Sequence, residues 1–339
     1  MRRNLLVIFA IFFALMGPAY GEQSAEDILR AIVRIKSVVP ESAFTARTLG
    51  TEREGNGVVI DSKGHILTIG YLIVEAETLE VTTGEGKTIS ASFVGYDHDT
   101  GFGLLKANKP LGITPMKLGK SSEVKQGDPI LMAGHGGAES VQAGRVIARK
   151  EFAGYWEYLL EDAIYTAPAH TGFGGAALIA PDGKLVGIGS LLTQVVIPGF
   201  GSIACNISVP IDLLHPILAD LIAKGRTSAA PRPWLGLNVE EAHGRVFVVR
   251  VTAGGPAEKA ELQSEDMILT VKGQEVKGLA DFYRKVWALG HAGVEVPLGI
   301  LRGTRIRDVP VKSIDRNQLL RQKLTKNLWD APGVLPTVP

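Results

Sequence analysis

The stretch that decides the fold is "YTAPAHTGFGGAALIAPDGKLVGIGS", residues 165–190. Small residues lead into the pair Gly174-Gly175, an apolar run follows, and Pro181-Asp182-Gly183 separates it from a second apolar run. This order predicts a strand, a tight turn and a strand. The turn before the paired glycines can present a side chain for chemistry. The side chain here is that of Phe173, which has no proton to lose and no lone pair to attack with.

The composition favours a turn-rich β protein of two or three domains. The chain has 339 residues, 40 glycines and 18 prolines, and 45% of its residues are hydrophobic, which is enough for sizeable cores. Its net charge is +1 and only 21% of its residues are charged. This balance points neither to nucleic acid nor to an acidic substrate as a partner. No motif in the sequence predicts a cofactor.

The N-terminus has the pattern of a secretory signal peptide. Arg2 and Arg3 precede the apolar run Leu5–Met16, Pro18 breaks that run, and small residues end at Gly21. We therefore expect residues 1–21 to be cleaved during export. The alternative is a retained membrane anchor, although the apolar run is shorter than the roughly 20 residues that span a bilayer.

The mature chain divides into blocks of short strands. Residues 22–127 contain hairpin patterns around Ser62-Lys63-Gly64 and Gly84-Glu85-Gly86, and residues 128–226 contain further strands and a helical pattern that ends at Gly225. Two such blocks without long helices between them predict two packed β-barrels. A linker leads to residues 232–313, a smaller α+β block, and we expect the polar tail 314–339 to be poorly ordered.

The arrangement resembles the HtrA/Deg family of periplasmic serine proteases. The motifs "GNGVVIDSKGHILT", "VGYDHDTGFGLLKA" and "TGFGGAALIAPDGKLVGI" are similar in order and spacing to the family's motifs. The resemblance covers nearly the whole mature chain. It implies a mostly β protein, with a trypsin-like double barrel followed by a PDZ domain, in the periplasm.

The same resemblance implies that the catalytic triad is lost. Tyr71, Gly101 and Phe173 stand where the family has its His, Asp and Ser. Serine needs an imidazole to take its proton and a carboxylate to orient that imidazole, and these residues supply none of the three. Thr171 stands where a glycine contributes to the oxyanion hole. We expect Phe173 and Tyr71 to stack and plug the old cleft, or else to line an aromatic pocket.

The last block carries the predicted binding site. The segment "PWLGL" resembles the family's carboxylate-binding loop, whose backbone N–H groups receive the C-terminus of a peptide. A peptide would add as a strand and lie against the helix that contains Phe282. The predicted contact residues are Trp234, Leu235, Gly236, Leu237, Phe282 and Val286. Glutamates replace the glycines that the family has near Leu262, which bears on the turn geometry there.

Three functions follow as alternatives. The first is an inactive protein that binds peptides or unfolded polypeptides as a scaffold, adaptor or chaperone-like factor. The second is an active trypsin-like endopeptidase of periplasmic quality control. A rebuilt triad would have to use His65, His98, Ser190 or Ser202, which lie off the family's spacing.

The third function is a metal-binding pseudoprotease. His135 and His170 are its candidate ligands, and a third ligand is missing from the sequence pattern. The resemblance also implies possible partners beyond peptide C-termini and unfolded proteins. These are other copies of the chain, in a trimer, or an active paralogue.

Overall fold

The computed structural model describes residues 23–197 and 201–320, which form two compact units. The first unit contains the residues up to Lys150 together with Asp162–Thr227, and the second contains Glu151–Glu161 together with the residues from Ser228 onward. Within the described ranges, no helix is both long and apolar enough to cross a membrane. The predicted signal peptide lies outside the described residues.

The first barrel is a closed antiparallel sheet with the strand order β1-β2-β3-β6-β5-β4. The predicted turn at Gly64 joins β2 to β3, and Gly64 has a φ of +82°, where glycine is favoured. The interior side chains Ile35, Leu67 and Leu104 are completely buried. The strands are β1 (Ile32–Val38), β2 (Glu52–Val59), β3 (His65–Ile69), β4 (Thr78–Thr82), β5 (Thr88–Tyr96) and β6 (Phe102–Ala107).

The second barrel is also closed, in the order β10-β11-β12-β9-β8-β7. Strands β10 and β11 form the hairpin that residues 165–190 predict, with Gly183 at its turn. A buried apolar cluster that includes Ile130, Ile164 and Leu178 forms part of the core. The strands are β7 (Pro129–Ala133), β8 (Val141–Gly154), β9 (Tyr158–Ala167), β10 (Ala177–Ile179), β11 (Leu185–Ile197) and β12 (Gly201–Pro210). The predicted double barrel is confirmed.

The helix after the second barrel is shorter than its apolar spacing predicts. A 3-10 turn covers Ile211–Leu213, and the α-helix spans only Leu218–Lys224. Pro216 explains the late start, because proline disfavours helical geometry at the residue before it. Gly225 ends the helix in the left-handed conformation, as predicted. Shorter helical segments elsewhere in the first unit are Ala25–Arg30, Ala46–Leu49, Gly70–Leu72, Ser121–Glu123 and Gly137–Ser140.

The second unit has a sheet in the order β13-β14-β15-β17-β18, with β16 paired to β15, and helices Pro256–Lys259 and Leu279–Trp287. Glu261 and Glu265 have φ values of +59° and +73°, so they adopt the left-handed geometry that glycine would take more readily. The turn around Leu262, for which the family has glycines, is therefore formed here by glutamates. The strands are β13 (Leu237–Ala242), β14 (Arg245–Val251), β15 (Met267–Val271), β16 (Gln274–Glu275), β17 (Glu295–Arg302) and β18 (Arg305–Lys312).

The first residues of the predicted poorly ordered tail are part of the second unit. Ile314 and Trp234 exchange two backbone hydrogen bonds of 3.1 Å, and Leu320 is buried. The expectation of disorder from residue 314 is therefore wrong as far as residue 320, because this segment pairs with the strand-like entry to the domain. Residues 321–339 lie outside the described residues.

Candidate functional site

Tyr71 is the predicted counterpart of the family's catalytic histidine. It lies in the 3-10 turn Gly70–Leu72 that follows β3, and its hydroxyl donates a 3.0 Å hydrogen bond to the carbonyl oxygen of Ser190. Burial raises the pKa of this hydroxyl well above its ordinary value of 10. A phenol in this state keeps its proton at neutral pH, so Tyr71 is a structural donor between the two barrels and not a base.

Gly101 is the predicted counterpart of the orienting aspartate. It is buried, has a φ of +83°, and its carbonyl accepts a 2.7 Å hydrogen bond from the N–H of Gly70. Its own N–H donates to the carbonyl of Asp97 at 2.8 Å. The left-handed geometry here favours glycine, and the residue offers no carboxylate that could orient a base.

Phe173 is the predicted counterpart of the nucleophile, and its ring packs elsewhere than against Tyr71. The ring is half-buried and packs against the apolar cluster of the second barrel. Among the described rings, Phe173 and Tyr71 form no aromatic pair. The predicted stack is therefore wrong, because the barrel interior offers the ring a larger apolar surface than one buried phenol does.

The loop that carries Phe173 is still held in a fixed shape. The Asn56 side chain donates to the carbonyls of Gly172 and Gly174 at 2.9 and 3.0 Å and accepts the His135 N–H at 2.8 Å. At Gly175, an added Cβ would lie 1.9 Å from the carbonyl oxygen of Asn56, so only glycine fits. Thr171, in the oxyanion segment, is exposed and is not among the residues with positive φ.

The two histidines proposed as metal ligands are engaged elsewhere. The Nε2 atom of His135 lies 3.1 Å from the carbonyl of Thr83, and Nε2 of His170 lies 3.1 Å from the carbonyl of Ser140. Within residues 23–197 and 201–320, no group of three His, Cys, Asp or Glu side chains is placed to hold a metal. The geometry therefore does not support a metal site at these histidines.

The other residues considered for a rebuilt triad are likewise committed to different partners. Nδ1 of His65 lies 2.5 Å from Oδ2 of Asp61, four residues away, at the β2–β3 turn. The ring of His98 packs edge-on against Tyr96 with centroids 4.2 Å apart. The Ser202 hydroxyl bonds to Gln194.

The segment Trp234–Leu237 in the second unit does gather backbone N–H groups, as predicted. They are not unpaired, however, because the carboxylate of Glu157 accepts all three hydrogen bonds. Oε2 accepts from Leu235 at 2.9 Å, and Oε1 accepts from Gly236 at 2.8 Å and from Leu237 at 3.0 Å. Glu157 comes from the turn between β8 and β9, whose residues 151–161 belong to this unit.

The main chain around Glu157 is bound as well. The carbonyl of Tyr155 accepts a 2.9 Å hydrogen bond from the N–H of Val239 in β13, which is the edge strand of the sheet. On the other side, the Tyr283 hydroxyl donates to the carbonyl of Gly154 at 2.7 Å and accepts the Glu157 N–H at 3.1 Å. The hairpin tip therefore lies between the edge strand and the helix Leu279–Trp287.

The predicted side-chain pocket is closed. Leu235, Leu237, Phe282 and Val286 are brought together as expected, but each is at most 2% exposed and belongs to the core of the unit. Leu159 of the hairpin is a buried member of the same cluster. Trp234 pairs through its backbone with Ile314 and has the Arg316 guanidinium 5.9 Å from its ring.

The environment of Glu157 opposes its ionisation. Burial raises the pKa of its carboxyl from the ordinary 4.5 to about 7, even though the three N–H donors and the positive charge of Arg316 pull it down. Its φ of +57° lies in the left-handed region that favours glycine. Burial and the left-handed backbone both disfavour a glutamate at this position, and its contacts with the loop hold it there.

Comparisons with known proteins match both parts of the chain. A trypsin-like peptidase domain model matches residues 55–188, and a PDZ domain model matches residues 233–312. The curated relatives of the chain are DegP-type and DegQ-type periplasmic proteases.

Among these homologues, the probable periplasmic serine protease do/HhoA-like of Haemophilus influenzae is 29% identical over 275 residues, covering 76% of this chain and 57% of that one. The periplasmic pH-dependent serine endoprotease DegQ of Escherichia coli is 27% identical over 273 residues, covering 76% and 58%. The match thus spans less than three-fifths of either relative. A structure of the HtrA-type protease AlgW with a decapeptide has the same fold, with a TM-score of 0.52 and 22% identity over 87% of this chain and 99% of AlgW.

The sequence predicts a loop of backbone N–H donors at residues 235–237, but it does not predict Glu157, whose carboxyl group accepts their hydrogen bonds. Glu157 lies in "YWEY", between the strands "RVIARKEFAG" and "YLLEDAIYTA", where a charged residue is typical of a solvent-exposed hairpin tip. The aromatic residues on both sides of Glu157 were the available signal, because such residues at a tip indicate that it packs against something.

Proposed function

We propose that this protein is a periplasmic, proteolytically inactive DegP/HtrA homologue that binds polypeptide C-termini through its PDZ domain. The loss of activity rests on the residues at the three triad positions. A protonated phenol, a bare glycine backbone and a phenyl ring supply no base, no orienting carboxylate and no nucleophile.

The periplasmic location is supported by the signal-like N-terminus and by relatives whose names describe them as periplasmic. Those relatives are also named serine proteases, so activity is the alternative that an experiment must decide. The mature chain would be incubated with casein and with a serine-directed fluorophosphonate probe. We expect neither cleavage nor labelling. Labelling of one serine that disappears after heat denaturation would refute the proposal of inactivity.

Peptide binding is supported by the donors that the PDZ domain already directs at a carboxylate. Three consecutive N–H groups at Leu235, Gly236 and Leu237 bond one carboxylate group, and the neighbouring edge strand β13 bonds a main-chain carbonyl through Val239. This combination suits a free C-terminus that adds to the sheet as a strand. The partners would be exposed C-termini of unfolded or misfolded polypeptides.

Peptide binding is tested with the full mature chain and a fluorescein-labelled pool of octapeptides that end in Val, Leu or Phe with a free carboxylate. Binding at micromolar concentrations is the expected scale, about −8 kcal/mol. The same pool with amidated C-termini is the matched control and should not bind. Equal binding of the free and amidated pools would show that the carboxylate loop is not the recognition site.

A further inference from the structure

The tip of the β8–β9 hairpin places the Glu157 side chain in the predicted carboxylate-binding loop of the PDZ domain. We propose that Glu157 is an internal ligand of the carboxylate-binding loop, and that a polypeptide C-terminus binds by displacing it. This inference rests on the proposed peptide-binding function and concerns how the same site is regulated.

The hydrogen bonds of Glu157 use the donors that a peptide C-terminus would need. Both of its carboxylate oxygens are bonded, and all three N–H groups at Leu235, Gly236 and Leu237 point at them. A terminal carboxylate presents the same pair of oxygens to the same donors. Because each N–H makes one good hydrogen bond, the two carboxylates cannot occupy the loop together.

The hairpin resembles a docked peptide in its main chain and its apolar contacts too. The Tyr155 carbonyl, two residues before Glu157, takes the Val239 N–H of the edge strand. Leu159, two residues after it, is buried in the cluster that contains Phe282 and Val286. The internal ligand therefore covers the loop, the strand edge and the apolar surface beside the helix.

The hairpin is fixed by contacts at its tip and base. Arg316 donates to the carbonyl of Trp156 at 3.1 Å, and at the base Arg284 forms exposed ion pairs with Glu151 and Glu161. Exposed ion pairs contribute little to stability, so the buried contacts of the tip, which include the three hydrogen bonds of the Glu157 carboxyl group, supply most of the attachment.

A tethered ligand is a strong competitor. Its effective concentration at the loop is on the order of millimolar, and a peptide sees only the fraction of molecules in which the loop is open. Weakening the internal carboxylate must therefore increase the apparent affinity for an external one. If Glu157 instead contacted the bound peptide, the same substitution would lower the apparent affinity.

The experiment titrates the fluorescein-labelled octapeptide pool with the full mature chain and measures anisotropy. Glu157→Gln keeps the size of the side chain and replaces its carboxyl group with an amide that cannot ionise. Glu161→Gln is the matched control, since it changes an exposed glutamate of the same hairpin. We expect Glu157→Gln to bind the free-carboxylate pool about tenfold more tightly than the wild type or more, and Glu161→Gln to bind like the wild type.

A second variant covers the case in which glutamine disturbs the fold. Glu157→Gly suits the φ of +57° and removes the whole side chain, and we expect the same gain in affinity. Hydrogen exchange of residues 235–237 provides an independent readout, and should speed up in both variants when no peptide is present.

The outcomes separate the two proposals. If the wild type and both Glu157 variants bind the free-carboxylate pool equally, displacement is refuted and peptide binding stands. If none of them binds it, the peptide-binding function is refuted and displacement with it. Unchanged hydrogen exchange at residues 235–237 in both variants would show that Glu157 does not occupy the loop, and would overturn the inference whatever the peptides do.

Discussion

Replacing Glu157 by glutamine should change how the stability of the PDZ domain depends on pH. In the folded protein, burial raises the pKa of the Glu157 carboxyl to about 7, against an ordinary value of 4.5. Between these values the folded state holds the proton while the unfolded state loses it. Ionisation then favours unfolding, so the free energy of unfolding falls as the pH rises from 4.5 to 7 and levels off above that.

The magnitude follows from the distance between the two pKa values. A pKa of about 7 against 4.5, at about 1.4 kcal/mol for each pH unit, corresponds to about 3 kcal/mol of stability lost between pH 5 and pH 8. The other charged or titratable groups beside Glu157 are Arg316 and Tyr283. The Tyr283 hydroxyl keeps its proton in this range, because burial raises its pKa above the ordinary value of 10.

Tryptophan fluorescence can follow this domain selectively. Every tryptophan in the described ranges lies in the second unit, namely Trp156, Trp234 and Trp287, and Trp329 lies beyond those ranges. Urea unfolding, excited at about 295 nm, would be measured at pH 5 and pH 8 for the wild type, Glu157→Gln and Glu161→Gln. Only Glu157→Gln should lose the extra 3 kcal/mol or so of pH dependence, because histidines such as His243 and His291 are the same in all three proteins.

An equal loss of stability between pH 5 and pH 8 in Glu157→Gln and the wild type would refute this prediction. That result would mean that Glu157 titrates in the folded protein as it does in water, and hence that its carboxyl is not buried in the loop.

Three further predictions follow from the same contacts. Phe173→Ser should leave the chain without peptidase activity, because the new hydroxyl has only the protonated Tyr71 and Gly101 at the positions of base and orienter; casein cleavage by this variant would show a base that we have not identified. Phe173→Ala should destabilise the first unit by about 2–3 kcal/mol in a circular-dichroism urea titration, somewhat less than a fully buried Phe, and an unchanged midpoint would refute its packing against the barrel core. Tyr283→Phe should lower the free energy of unfolding of the PDZ domain by roughly 1–3 kcal/mol, since it leaves the Gly154 carbonyl and the Glu157 N–H without their partner. Urea unfolding followed by tryptophan fluorescence measures this difference, and equal stability of the variant and the wild type would contradict the prediction.

The sequence predicts much of the architecture because the responsible signals are local. Hairpin turns at Gly64 and Gly183 and the helix end at Gly225 depend on the backbone freedom of single glycines, and the structure has each of them at the predicted place. The same local reasoning misplaced the helix start, because apolar spacing continues through Pro216 while helical geometry does not.

The residue types at the predicted triad positions are also a property of the sequence alone. Tyr71, Gly101 and Phe173 lack the functional groups of a triad whatever their arrangement. Where their side chains lie is decided by tertiary structure. The Phe173 ring enters the apolar cluster of the second barrel instead of stacking on Tyr71, and Tyr71 bonds a carbonyl 119 residues away in the chain.

Only the tertiary structure shows that the carboxylate loop is occupied. The sequence determines a loop of backbone donors at Leu235–Leu237 and, separately, a charged residue at a hairpin tip, and nothing local connects them. Glu157 reaches those donors across 78 to 80 residues of chain, because folding places a strand hairpin beside the edge of the PDZ sheet. Such a contact depends on the geometry of two distant segments, so no pattern of composition or spacing can reveal it.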